Sequence, residues 1–394
     1  MAAPRERSLF VGVTRDTVLL TFSSLFADIS TEMLYPVLPI FLTQTLKASG
    51  GVIGLIEGVA TATQNIVQGF SGSLSDKLRK RKAIAMVGYA VAALAKPLIG
   101  LSAAWPGVLA GRFLDRFGTG IRSAPRDALI AGSVEPEHRG KAFGLEGLGD
   151  NAGAFLGPLL AILLLSVLRI DIHLIFYLAI IPGALALALV GLVSEARSGE
   201  PDTGRGAARG RFPRAYWKYL LATAVFGLGN SSNAFLILQT KALGASLTTT
   251  ILIYAGFNLV AALISYPAGA LTDRFGRRNV LLVGFLIFLA AYLGFALSRS
   301  LALTAGLFLL YGLFQGIFRS AGKALASDLA PDSLRAGGVG WYGAVVGMSG
   351  LVASLVAGQL WDRVGHAAVF LLGATFAIAG SVALLALVPA RPAR

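Results

Sequence analysis

Six charged side chains sit within one short stretch, GRFLDRFGTGIRSAPRDALIAG (111–132): Arg112, Asp115, Arg116, Arg122, Arg126 and Asp127. The segment around them is apolar, so they cannot rely on bulk water. Charged groups in that setting have three uses. Opposite charges pair, a carboxylate shuttles a proton, or a free guanidinium holds an anion. Acids that could answer them recur at helical spacing elsewhere: Asp28 with Glu32, Glu57 alone, and Glu146 with Asp150. With Asp328 on one side and Lys96, Arg319 and Lys323 on the other, eight acids face seven bases inside apolar segments. Near balance favours paired networks over a bare cationic pore.

Other chemistries find little support. The chain has no cysteine, so thiolate metal sites and disulfides are excluded. His138, His173 and His366 are far apart in sequence and near expected loops, which argues against a histidine metal site. No nucleophile–base pairing stands out, and no G-x-x-x-x-G-K-[ST] loop occurs, so neither an enzyme nor a nucleotide-driven pump is expected. No cofactor is expected.

The elements that must position these charges are membrane helices. Of 394 residues, 55% are hydrophobic and 14% charged, more apolar surface than a soluble domain can cover. Twelve spans are expected, near 16–44, 51–73, 83–103, 106–131, 142–168, 172–194, 215–240, 248–272, 278–297, 302–328, 336–361 and 366–389. On a helical wheel of 100° per residue, all six charges of the fourth span fall within roughly 140°. Phe113, Phe117, Ile121, Ala124, Pro125 and Ala128 take the other side. The span therefore has one face for lipid or packing and one for protein or water. Asp28 lies about 18 Å into the first span, near the midplane, with Tyr35 further along it.

The net charge of +14 is explained without nucleic acid. Of 34 Lys and Arg, about 22 fall in the termini and the loops after even-numbered spans, which places both termini in the cytoplasm of a plasma (inner) membrane protein. The polar stretch 195–214 reads as a cytoplasmic linker between an N-terminal six-helix half, 1–194, and a C-terminal one, 215–394. The halves repeat. GSLSDKLRKRK (72–82) returns 197 residues later as GALTDRFGRRN (269–279), and Arg122 and Arg126 are answered by Arg319 and Lys323. The expected fold is all-α, with twelve spans in two pseudo-symmetric halves.

At these residues the sequence resembles the major facilitator superfamily over essentially its whole length. The loop after span 2 matches that family's G-x-x-x-D-R-x-G-R-R/K signature. The second copy is complete, with Gly269, Asp273, Arg274, Gly276, Arg277 and Arg278; the first has Gly72 and Asp76 but Arg79 for the glycine and Lys80 for the arginine. GAFLGPLLAI (153–162) is similar to the family's antiporter element at Gly153, Gly157 and Pro158, with Ala161 and Ile162 in place of its final glycines. YPVLPIFL (35–42) is similar to the first-span P-x-x-P element of drug/proton antiporters, so the chain looks most like the efflux branch.

The resemblance implies secondary transport by alternating access: proton-coupled efflux of a small organic molecule, or alternatively movement of an anionic solute or metal chelate through the arginine-lined cavity. It implies a cytoplasmic charge cluster of Asp76, Lys80 and Asp127, with Arg126 beside them and Gly269, Asp273 and Arg277 in the second copy, acting as a gate. Asp28 is the first proton-coupling candidate, then Glu32 and Asp150, against the plainer reading that each is a static bridge to span 4. For Asp150 a bridge to Arg116 or Arg122 is expected. Arg112, Arg116, Arg122, Tyr35, Asn230, Asn233, Gln315, Arg319 and Lys323 are the substrate-cavity candidates. Phe226, Phe235, Tyr254, Phe257, Trp341 and Tyr342 could line the same cavity, although packing is the commoner role. Protons, a small-molecule substrate and the bilayer are the expected partners, and a monomer suffices.

Overall fold

A computed structural model describes residues 13–78, 80–135, 139–194, 211–331 and 334–389; the side chains at 72, 73, 76, 77, 139–141, 266, 269, 270, 273, 335 and 336 lie outside that description. Every regular element among the described residues is helical. Before the linker run α1 (Arg15–Glu32), α2 (Leu38–Ile40), α3 (Gly50–Leu78), α4 (Arg81–Gly100), α5 (Trp105–Gly132), α6 (Arg139–Ile162), α7 (Ile172–Leu178) and α8 (Ile180–Gly191). After it run α9 (Arg214–Gly227), α10 (Ala234–Ala242), α11 (Leu247–Phe275), α12 (Arg277–Leu297), α13 (Leu301–Leu329), α14 (Arg335–Arg363) and α15 (His366–Leu387). Single π-helical turns extend α2 over Phe41–Thr45 and α6 over Leu163–Val167.

Eight of the twelve expected spans meet a length-and-apolarity criterion among the described residues. The exceptions are the first, second, fourth and seventh, all of them helical. The first breaks over 33–37, where Pro36 cannot donate a helical hydrogen bond, and the seventh breaks over 228–233. The second carries Glu57, Gln64, Asn65 and Gln68, and the fourth carries the six charges. Several of their polar side chains meet neighbouring helices: Glu57 pairs with Arg112, Gln64 accepts from Arg116, and Asn230 accepts from Tyr311.

The packing plan repeats. α1 packs on α6 and α8, as α9 packs on α14 and α15; α4 packs on α5, as α12 packs on α13. Contact between the helices before residue 195 and those after residue 210 runs chiefly through two pairs, α3 with α14 and α6 with α11. Both pairs close at the end away from the linker. There Gly54 lies so near Ser354 O that a Cβ would overlap it, and Gly358 stands equally close to Gly50 O. The Asp362 carboxylate takes the backbone N–H of Gly50 and of Gly51, each at 2.7 Å, satisfying two of the four free donors that open α3. An apolar cluster drawn from both sets (Met33, Phe41, Ile53, Phe235, Ile251 and Val369 among others) seals this end. At the linker end, Gly69, Gly144, Gly147 and Gly340 have nothing within 4 Å of where a side chain would project. The two sets of helices therefore meet at one end and part at the other.

Candidate functional site

The charged face of α5 is a ladder of ion pairs reaching four neighbouring helices, α1, α3, α4 and α6. Close approach builds it. Gly118 sits so near Gly88 O and Ala92 N that a Cβ would overlap them, and this brings α4 against α5. Lys96 of α4 then lies 3.4 Å from Asp115. Arg112 pairs with Glu57 of α3 at 2.8 Å and with Asp115 at 3.2 Å. Arg116 lies 3.5 Å from Asp115 and donates to Gln64 Oε1 at 3.1 Å. All of Glu57, Lys96, Arg112 and Asp115 are buried. Charges without water are tolerable only when paired in this way.

Toward the linker end the ladder continues with the buried Glu146 and three part-exposed acids, Asp28, Asp127 and Asp150. Arg122 lies 3.8 Å from Asp28 of α1, its guanidinium over the Tyr89 ring at 4.4 Å, and its Nε and Nη1 have no hydrogen-bond partner. Arg126 faces three carboxylates: Glu146 at 2.7 Å, Asp127 at 3.1 Å and Asp150 at 3.6 Å. Ser24 joins this cluster, accepting from Arg126 at 3.0 Å and donating to Glu146 at 3.2 Å. The α1–α6 crossing holds these acids in place. A Cβ on Gly153 would overlap Leu25 O and the Asp28 side chain, and one on Gly157 would overlap Met33 N. Pro158 follows within a helix that stays continuous through it.

The expected partners are partly reassigned. Asp28 is bridged to α5 as the plainer reading has it, through Arg122. Asp150 pairs with Arg126 rather than with Arg116 or Arg122, because it lies further toward the linker end than the wheel alone indicates. Glu32 does not reach α5. It accepts from Tyr254 Oη at 2.9 Å and from Asn258 Nδ2 at 3.5 Å, both on α11, and so ties the two sets of helices. Tyr35 belongs to the same seam, stacked on Tyr254 at 5.4 Å with its hydroxyl 3.3 Å from Ser232. Asn230 and Asn233 both accept from Tyr311 Oη, at 3.3 and 2.9 Å.

On α13 the picture differs. Arg319 and Lys323 are exposed, and among the described residues neither forms an ion pair or hydrogen bond; Gln315, one turn earlier, is half-buried. Phe226, Phe235 and Phe257 are core rather than cavity lining, each at most 2% exposed. Tyr342 stacks on Tyr219 at 6.0 Å and is packed likewise, while Trp341, 52% exposed, meets Trp217 edge-on.

Of the gate residues, Gly72, Asp76, Gly269 and Asp273 lie outside the described side chains. Lys80 is exposed, and Asp127 is taken by its neighbour Arg126. In the second copy Gly276 has φ +83°, a conformation glycine adopts readily. Arg277 then reaches α13, donating to Ala324 O and pairing with Asp328. Of two further participants, Glu146 was named in sequence only as an answering acid, and Asp362 was missed. Glu146 stands four residues before Asp150, a spacing that signals a shared face. Asp362 gives no local signal, since its partners are backbone groups 311 and 312 residues away.

The chain is similar to known proteins. The profile described as Major Facilitator Superfamily matches residues 20–238 and 219–394. An uncharacterised MFS-type transporter of Methanocaldococcus jannaschii is 35% identical over 384 residues, covering 95% of each chain. The tetracenomycin C resistance and export protein of Streptomyces glaucescens is 30% identical over 203 residues, 50% of this chain and 37% of its own. Among solved structures, a nucleoside transporter superposes with a TM-score of 0.78 at 14% identity, over 95% of this chain and all of that one.

Proposed function

The chain belongs to the major facilitator superfamily and is a multi-pass membrane transporter, and from that premise we propose proton-coupled secondary transport of a small organic molecule by alternating access. The moving bodies are the six-span halves 1–194 and 215–394, hinged by the linker 195–214. With linker and termini in the cytoplasm of the inner membrane, as the distribution of Lys and Arg supports, the parted end is the cytoplasmic one. The arrangement is then inward-open. Asp362 on the α3 N-terminus and Glu32 on Tyr254 clasp the outer side and must release when the halves rock.

One observation carries the proton coupling. A single guanidinium, Arg126, serves three carboxylates, Asp127, Glu146 and Asp150. One positive charge cannot neutralise three negative ones, so the cluster is a natural seat for a transported proton. Asp28 on Arg122 adjoins it and is part-exposed. Glu146, with its two ties to Arg126 and Ser24, becomes the leading carrier, ahead of Asp28 and Asp150.

Direction follows from how substrate and proton interact. A substrate that competes with the proton for these carboxylates gives exchange, hence efflux, the direction named for the tetracenomycin C exporter among the relatives; one that binds alongside the proton gives co-transport. The test uses purified protein in proteoliposomes with an enclosed pH-sensitive dye, screened against lipophilic cations, organic anions and metal chelates. Substrate-dependent proton flux is expected, and Glu146→Gln should abolish it while substrate-for-substrate exchange persists. Proton flux unchanged in Glu146→Gln and in Asp28→Asn would sink the assignment.

A further inference from the structure

We infer that the transported solute is an organic anion whose carboxylate or phosphate head binds Arg319 and Lys323 on α13, and that it moves together with a proton. The second clause rests on the proton-coupled reading above; the first does not.

The molecule contains its own control. Arg122 and Arg126 stand four residues apart on α5, and each meets a carboxylate from α1 or α6: Asp28 at 3.8 Å, Glu146 at 2.7 Å. Arg319 and Lys323 repeat that pair 197 residues later, on the helix that packs in the corresponding place. The positions 197 residues on from Asp28, Glu146 and Asp150 hold Val225, Gly343 and Gly347. The cations have been kept and their carboxylates removed. Accordingly, neither cation finds an ion-pair partner among the described residues.

Leaving them bare has a cost. Like charges one turn apart repel, and cations within a membrane span are unfavourable without a partner. Arg319 lies about 15 Å of helix from the end of α13, near the middle of a bilayer core, where a lipid headgroup does not sit. The stripe Gln315–Arg319–Lys323 adds an amide to a guanidinium fork and a point charge, a set suited to an oxyanion. It is exposed, in a molecule whose halves part on the linker side.

The opposite wall sets the sign of coupling. The repeat makes Lys323 the counterpart of Arg126, which holds Asp127, Glu146 and Asp150 on the other set of helices. An anion seated on α13 adds negative charge facing those carboxylates and so favours a proton on them. By linkage the proton favours the anion equally. Anion and proton therefore bind together rather than compete, and an inward proton gradient drives uptake. Cationic substrates would give the reverse.

The site is testable without knowing the natural solute. Pyridoxal 5′-phosphate carries an oxyanion and an aldehyde. The aldehyde condenses with a lysine amine, releasing water, and borohydride fixes the imine for mass spectrometry. On the full-length protein in detergent, Lys323 should label about tenfold faster with pyridoxal 5′-phosphate than with pyridoxal, and Arg319→Gln should erase that preference. Benzoate and inorganic phosphate, tested separately, should protect according to which head group fits; tetraphenylphosphonium and glucose should not. The assignment falls if the phosphorylated reagent has no advantage, or keeps it in Arg319→Gln. It also falls if phosphatidylglycerol vesicles protect as well as the soluble anions, which would make the pair a lipid seat. The better protecting anion, added outside proteoliposomes, should acidify the lumen as it enters. Alkalinisation, or entry with no pH change, overturns co-transport while leaving the anion site standing.

Discussion

The helices before the linker and those after it share one packing plan and are filled with opposite chemistry. The interior of the first set is ionic: Glu57, Lys96, Arg112, Asp115, Arg122 and Glu146 are all buried there. The interior of the second is aromatic. Phe226 stacks on Phe285 at 3.7 Å and meets Phe288, Phe314 and Phe318, while Tyr292 and Tyr311 extend the cluster. An aromatic core holds its shape by dispersion and burial and is indifferent to pH. An ionic one is held by pairs that rearrange when a proton or another charge arrives. The contrast divides the labour: one body responds, and the other supplies a firm frame that presents two cations.

The contrast can be broken from either side. Phe226→Ala removes the centre of the aromatic cluster and should cost about 3–5 kcal/mol, read as a loss of unfolding free energy in detergent. An effect under about 1 kcal/mol would mean that the second set is not a rigid frame. On the ionic side, Arg112→Gln strands Glu57, while Asp115 keeps Lys96 and Arg116, and should cost about 3 kcal/mol in the same assay. Adding Glu57→Gln should restore much of that loss, a non-additivity that the aromatic cluster has no means to show.

A smaller effect belongs to the seam between the bodies. Asp362→Ala removes a cap from α3 at about 1–2 kcal/mol and should shift the population toward opening at that end. The chain has no cysteine, so spin labels at Lys47→Cys and Val364→Cys report this distance without interference. An unchanged distance distribution would show that the cap does not hold the seam. The smallest effect lies outside the contrast. Asp171 caps α7, and the backbone N–H and ring of His173 hold its carboxyl below the usual range. A depressed carboxyl stabilises the fold above its unfolded pKa, and the gain is lost as pH falls. Asp171→Ala should cost about 0.5 kcal/mol at neutral pH and progressively less as pH falls below the usual carboxylate range.

Much of this was legible in the residues. Period and length gave the helices, and the wheel of the fourth span placed its charges on one face, where the structure has them. The repeat at 197 residues identified the two cation pairs. What the sequence left open was depth and partner choice. A wheel fixes an angle but not a height, so Asp150 was assigned to the wrong arginine and Glu146 was not singled out. The breaks within the first and seventh spans were also invisible, because a window of apolar residues does not register a turn. The tie from Asp362 to Gly50 and Gly51 involves no side chain on one partner, and no residue pattern encodes a bare amide as a ligand.

That tie is one-sided, which has a consequence for how the protein can be adjusted. On α3 the acceptor meets only main chain, and a side chain at Gly50 would collide with Asp362 and Trp361. Substitution on α3 can spoil the fit but cannot grade it. The strength of the contact is therefore governed from α14 alone, through the acid's length, charge and setting. A family of related carriers could retune how firmly this end is held by varying one position, with the other side of the lock built from a part that every polypeptide shares.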